Sequence, residues 1–168
     1  LPTSCPECSS KLVKEVDEAI TKCTNTACPA ILRGSLRHWV SKNAMNIDGL
    51  GSKLIDQLVA KKLVTSIAQI YELDKEQISK LDRMGKKSAE KIFNAIEESK
   101  KQPWHKQLYG LGINHIGEAN AKTLAKVFPN IEELERSTKV ANESIKPIAG
   151  IGDKIATSLR EWFLVSKN

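Results

Sequence analysis

Apolar residues recur at helical spacing over most of this chain and alternate almost nowhere. After Pro29, which suits the first turn of a helix, Ile31, Leu32, Leu36, Trp39 and Val40 predict a helix reaching about Asn43. Gly34 inside it is a mild cost or a close packing point. Ala89, Ile92, Phe93 and Ile96 form one apolar face, with Lys91, Asn94, Glu97 and Glu98 opposite. Ala121, Leu124, Ala125 and Phe128 form a second face, and Ile155, Leu159, Trp162 and Phe163 a third. Trp39, Trp104 and Trp162 fit such faces or their edges, so they read as core rather than as stacking platforms. Asp74 with Gln77 and Asn130 with Glu133 have capping-box spacing and open short connector helices. Pro103, Pro129 and Pro147 fall between helices, as breakers should. Only residues 11–22 suggest strands: Lys11 to Val16 as one, Ala19 to Lys22 as its hairpin partner.

The four cysteines lie at Cys5, Cys8, Cys23 and Cys28, and none follows. Two short pairs separated by fourteen residues are what a tetrahedral zinc site needs, each knuckle offering two sulfurs. Pro6 and Asn25 suit the knuckle turns. Two disulfides would require an oxidising compartment, which nothing here suggests. A redox pair at Cys5 and Cys8 would leave the second pair unexplained. Four thiolates leave no open position, so the expected Zn2+ is structural rather than catalytic. His38 is a conceivable substitute ligand, but on a helix ten residues past Cys28 it reads as packing or surface. About 44 residues bury too little to fold unaided, so the metal is expected to drive folding of this module.

Glycine turns repeat through the remainder. They are Ile47-Asp48-Gly49-Leu50-Gly51, Leu81-Asp82-Arg83-Met84-Gly85, Gly112-Ile113-Asn114-His115-Ile116-Gly117 and Ile148-Ala149-Gly150-Ile151-Gly152. Aligned on the last glycine they are spaced by 34, 32 and 35 residues. In Gly-apolar-Gly before a helix, the apolar residue anchors the turn inward and the glycines clear side chains from it. The first N–H groups of the next helix then have no internal partner and, with the helix dipole, form an anion site. Lys53, Lys86, Lys87 and Lys154 lie one to three residues beyond a last glycine, placed to reach the same anion or its neighbour. Singly, each turn reads more readily as a plain helix connector; the shared pattern and the following lysines reverse that for the set. The second turn has Arg83 in place of the first glycine, which leaves it structural or trades a backbone donor for a guanidinium. The third carries Asn114 and His115 at its tip, and His115 is either a nucleic-acid contact or an exposed loop residue. The expected fold is mainly α, with a small four-cysteine zinc finger at 1–44 followed by a helical domain of four helix-hairpin-helix motifs at 45–168.

The formal charge of +6 favours an anionic partner without identifying it, and zinc thiolates would lower it. No apolar run approaches eighteen residues, so no membrane span or membrane partner is expected. The start has neither a signal-peptide pattern nor an initiator Met, so the chain reads as a piece of a longer or processed protein.

The Cys-x2-Cys and Cys-x4-Cys-Pro-Ala module, the helix with Arg37-His38-Trp39, and Met45-Asn46-Ile47-Asp48-Gly49-Leu50-Gly51 resemble the bacterial NAD-dependent DNA ligases. Leu111 to Ala119 is similar to a distinctive stretch of that family, and the resemblance spans nearly the whole chain in order. It implies a parent enzyme that consumes NAD, uses Mg2+ and seals nicks through an adenylated lysine and adenylated DNA in replication and repair. It implies that this part grips double-stranded, nicked DNA on its minor-groove side, without sequence preference. The sites implied are Gly49, Gly51, Lys53, Gly85, Lys86, Lys87, Gly112, Asn114, His115, Gly117, Gly150, Gly152 and Lys154. The family's Lys-x-Asp-Gly motif is not matched, since the only Asp-Gly is Asp48-Gly49 after Asn46-Ile47. No catalytic residue, ligation or NAD binding is therefore expected from this chain, and the adenylation, OB-fold and BRCT domains are expected to lie elsewhere in the parent. A cytoplasmic monomer, nucleoid-associated when on DNA, is expected. The rival readings are a helix-hairpin-helix segment of another repair protein and a protein-interaction scaffold.

Overall fold

The computed structural model describes residues 2–14, 21–139 and 148–165. Within them the chain forms strands β1 (Leu12–Lys14) and β2 (Thr21–Cys23) and helices α1 (Pro29–Val40), α2 (Ser52–Ala60), α3 (Lys75–Ser79) and α4 (Lys86–Ser99). Helices α5 (Trp104–Gly110), α6 (Glu118–Val127), α7 (Ile131–Lys139) and α8 (Asp153–Val165) follow. The fold is mainly helical, with one small cysteine-bearing hairpin. None of the described helices is long and apolar enough to cross a membrane.

β1 and β2 pair antiparallel with Leu12 opposite Cys23 and Lys14 opposite Thr21. The expected strand from Lys11 to Val16 is shorter than its pattern, and Val16, Ala19 and Ile20 lie outside the described residues. Helix α1 stops at Val40 rather than near Asn43. There the Ser41 hydroxyl and N–H both donate to the His38 carbonyl, and the Ala44 N–H donates to the Ser41 carbonyl, which closes a turn.

The chain packs as two compact units, Leu1–Arg37 with Asp48–Ile96, and His38–Ile47 with Glu97–Asn168. In the first, Leu50, Ile55, Leu58, Val64, Ile70, Ile78, Leu81, Ala89 and Ile92 are buried. Asp74 and Gln77 form a reciprocal capping box at the start of α3, as their spacing predicts. The Gln57 side chain accepts the Asp82 N–H at 2.8 Å and so ties α2 to the second turn. Arg37 reaches the Asp56 carboxylate at 2.6 Å.

In the second unit α5 packs on α6 and α7 on α8. Leu108, Ile113, Ile116, Ala121, Leu124, Leu134, Ile151, Ile155, Leu159 and Phe163 meet in one core. The helical spacing read from α6 and α8 therefore does point inward. Asn130 caps α7 by accepting the Glu133 N–H at 2.8 Å. The Trp104 indole N–H donates to the Phe128 carbonyl at 2.9 Å, and Trp39 is buried against Gly110, where a methyl group would come within 2.9 Å of its ring. His38 bonds the Tyr109 carbonyl through Nε2 at 2.8 Å and meets the Tyr109 ring edge-on, a packing role. Pro147 lies outside the described residues. Because Leu124 is fully buried in this core, Leu124→Ala is expected to destabilise the unit by about 2–5 kcal/mol, read as a lower denaturant midpoint.

Candidate zinc centre and nucleic-acid interface

The first cysteine knuckle is closed by its own backbone. The Cys5 N–H donates to the Ser10 carbonyl, and the Ser9 N–H donates to the Cys5 carbonyl, both at 2.8 Å. Asn25 shapes the second: its side chain accepts the Ala27 N–H at 3.0 Å and its carbonyl accepts the Cys28 N–H at 3.0 Å. Cys23 ends β2 and Cys28 directly precedes α1, so the hairpin and helix carry the second pair to the first.

The four Sγ atoms lie within 4.8 Å of one another, with Cys5 to Cys28 at 3.8 Å and Cys8 to Cys23 at 3.5 Å. A tetrahedron with Zn–S bonds of about 2.3 Å has S···S edges of roughly 3.8 Å. The sulfur set therefore has the size zinc requires. Its charge needs the ion as well. The Ser10 hydroxyl, then its backbone N–H, bring the Cys8 thiol down to about 6. At Cys23 the Asn25 backbone N–H pulls downward, but burial and the sulfurs of Cys8 and Cys5 outweigh it and push the thiol up to about 12. Clustered thiolates repel, and a divalent cation removes that repulsion. Cys5 and Cys28 are buried and all four sulfurs are used, so the centre is a structural zinc site. His38 takes no part in it.

The four glycine turns share one backbone device. Two places before the last glycine, φ is positive at Gly49 (89°), Arg83 (62°), His115 (64°) and Gly150 (89°). In the last three turns the next residue closes the turn, Met84 N–H to the Leu81 carbonyl, Ile116 to Ile113 and Ile151 to Ile148, at 2.9–3.1 Å. A positive φ at the third turn position is where glycine is ordinary, so Arg83 and His115 hold that conformation at a cost of about 1–2 kcal/mol. The third turn has Asn114 and His115 at its tip, as its sequence predicts. Its tight part is Ile113–Ile116, with His115 in the glycine place. Gly112 (φ 66°) belongs to the end of α5, where its N–H donates to the Tyr109 carbonyl.

The middle residues Leu50, Ile116 and Ile151 are buried and Met84 is half-buried. The last glycines are different. Gly51, Gly85, Gly117 and Gly152 are exposed, and a methyl group on any of them would meet nothing within 4 Å among the described residues. Gly51 and Gly117 have extended backbone (φ −78° and −80°), which any residue adopts, and they cap α2 and α6 with no side-chain hydrogen bond. The N–H groups of Gly51, Ser52 and Lys53 have no acceptor among the described residues. The same holds for Gly85, Lys86 and Lys87, and for Gly117, Glu118 and Ala119.

Lys53, Lys86, Lys87 and Lys154 are exposed and have no acidic partner among the described residues. Elsewhere lysines commonly pair, as in Lys61–Asp82, Lys75–Glu90, Lys80–Glu76 and Lys91–Asp48. Asn114 is exposed one residue before His115. Ser10, which supports Cys8, carries no signal of that role in the sequence.

Residues 4–30 match the NAD-dependent DNA ligase C4 zinc finger domain. Residues 42–98 match a SAM-like helix-hairpin-helix tandem, and residues 106–168 a helix-hairpin-helix motif. DNA ligases from two strains of Prochlorococcus marinus are 62% and 55% identical over the full 168 residues, and one from a Synechococcus strain is 56% identical. The chain spans about a quarter of the length of these relatives (24%, 24% and 25%). Cysteine centre, paired hairpin segments and relatives agree in order and extent: over its whole length the chain is similar to the zinc-finger and helix-hairpin-helix portion of NAD-dependent DNA ligases.

Proposed function

We propose that this chain is the non-catalytic part of an NAD-dependent DNA ligase that holds duplex DNA around a nick without reading its sequence. The observation that carries the reading is the row of exposed glycines at helix starts, with open N–H groups at the first three turns among the described residues and lysines without acidic partners beside the first, second and fourth. Among the described residues nothing requires a glycine at those places, whereas a phosphate approaching the backbone does. Phosphate contacts position a protein without sequence information, which suits an enzyme that works at any nick. By motif chemistry the chain divides into a zinc module at 1–44 and a DNA-binding helical domain at 45–168, acting as a monomer in the cytoplasm. Arg83 and His115, both exposed at turn tips, join the glycine and lysine sites as contacts. Nucleotide chemistry with NAD and Mg2+ belongs to the parent's adenylation domain.

The test is binding of zinc-loaded protein to a labelled nicked duplex across a salt series. Neutralising about four to six phosphates gives a slope of log K against log salt of roughly −4 to −5. A slope near zero at every concentration overturns the reading.

A further inference from the structure

Lys42, Lys106 and Lys122 are far apart in sequence and line one cleft. Lys42 comes from the turn after α1, Lys106 from the first turn of α5 and Lys122 from α6. Asn43, His105, Tyr109 and Glu118 complete the wall of a cleft of roughly 230 Å³. None of the three lysines has an acidic partner among the described residues, although Lys106 is half-buried. Like charges gathered on one concave wall repel each other and raise the local field. The folded chain alone gains nothing from that arrangement; an anion does.

The place of the cleft says which anion. Glu118 follows Gly117 directly, so the cleft adjoins the third hairpin. That hairpin is the one with no lysine in the three residues after its last glycine, where Glu118, Ala119 and Asn120 stand. The other three have Lys53, Lys86 with Lys87, and Lys154 there. Tertiary packing thus brings to the third hairpin the cations its own sequence lacks. Lysine ammonium groups bind phosphate oxygens as point charges, without needing a fixed angle of approach.

We propose that the cleft of Lys42, Lys106 and Lys122 is a further phosphate site, holding a backbone phosphate of the duplex beside the one taken by the third hairpin. The inference rests on the duplex-binding reading above. Glu118 opposes this site, its carboxylate facing the same anion and moderating the grip.

The test compares two triple variants of equal charge in the zinc-loaded chain, using a labelled duplex across a salt series. In Lys42→Gln/Lys106→Gln/Lys122→Gln the slope becomes shallower by roughly 1–2 and binding at low salt weakens about tenfold. In Lys61→Gln/Lys75→Gln/Lys80→Gln, whose lysines pair with carboxylates, both stay near the parent value. The cleft variant keeps its Tm or gains, since it loses repulsion and no ion pair. Glu118→Gln, a single conservative change, tightens binding several-fold. Equal losses in the two triple variants, or a cleft variant and a Glu118→Gln that both bind like the parent, overturn the site while leaving duplex binding intact. A flat salt response of the parent chain instead overturns the duplex reading itself, and the cleft with it.

Discussion

Replacing Cys28 with Ser, or stripping the protein with a strong chelator, is expected to abolish zinc binding and unfold the cysteine module. Cys28 is fully buried, and its sulfur stands 3.8 Å from that of Cys5. Around the centre lie two three-residue strands and a few knuckle turns, too little apolar burial to offset chain entropy. A structural zinc contributes on the order of 10–16 kcal/mol in small peptides, more than any other single element here can supply. The measurement is zinc content together with amide hydrogen exchange. The N–H groups of Cys5, Ser9 and Cys28, bonded in the two knuckles, should lose protection when the metal leaves. Amides of α6, in the core of the second unit, should keep theirs. Retained protection at the knuckles after complete zinc removal would refute a metal-driven fold. Acid acts in the same direction as the chelator, because the ligands are thiolates and protons compete with the ion.

The second large effect separates two glycines of one hairpin. Gly51→Asp and Gly152→Asp are expected to weaken nicked-duplex binding by roughly 10- to 100-fold each, the worth of one or more charge-assisted hydrogen bonds plus added repulsion. Neither should lower stability. At Gly51 an aspartate accepts the open N–H groups itself, and at any helix start it is worth a few tenths of a kcal/mol more than glycine. Gly51→Val, with bulk but no acceptor, should weaken binding and also lose a little helix stability, with zinc content unchanged. Gly150→Ala should do the reverse at first order. Its φ of 89° strains any side chain, so stability falls by about 1–2 kcal/mol. Thermal unfolding and fluorescence anisotropy on the same variants check both halves. If Gly51→Asp binds DNA like the parent, the helix-start N–H groups are not the grip.

The features behind these two effects differ in how far the sequence discloses them. Cysteine spacing is local: a knuckle closes over a few residues, so Cys5, Cys8, Cys23 and Cys28 name their own geometry. Helix faces are nearly as plain, because burial of Ala121, Leu124, Leu159 and Phe163 follows from their spacing once a core exists to receive them. The Asp74–Gln77 box is a three-residue interval that needs no distant partner. The third turn is harder to place, because glycine is the usual sign of positive φ and Gly112 offers one nearby. Both Gly112 and His115 have positive φ, but it is His115, between the core residues Ile113 and Ile116, that holds the place of Gly49 and Gly150.

The zinc centre, the order of helices and the positions of their uncapped starts each depend on residues a few places apart, so they can be read along the chain. Meetings at a distance cannot. Packing alone sets Gln57 against Asp82, seats His38 on the Tyr109 carbonyl, and gathers Lys42, Lys106 and Lys122 around one cleft. Those meetings follow from how helices fit together, and that fit is specified by the whole core at once rather than by any local interval.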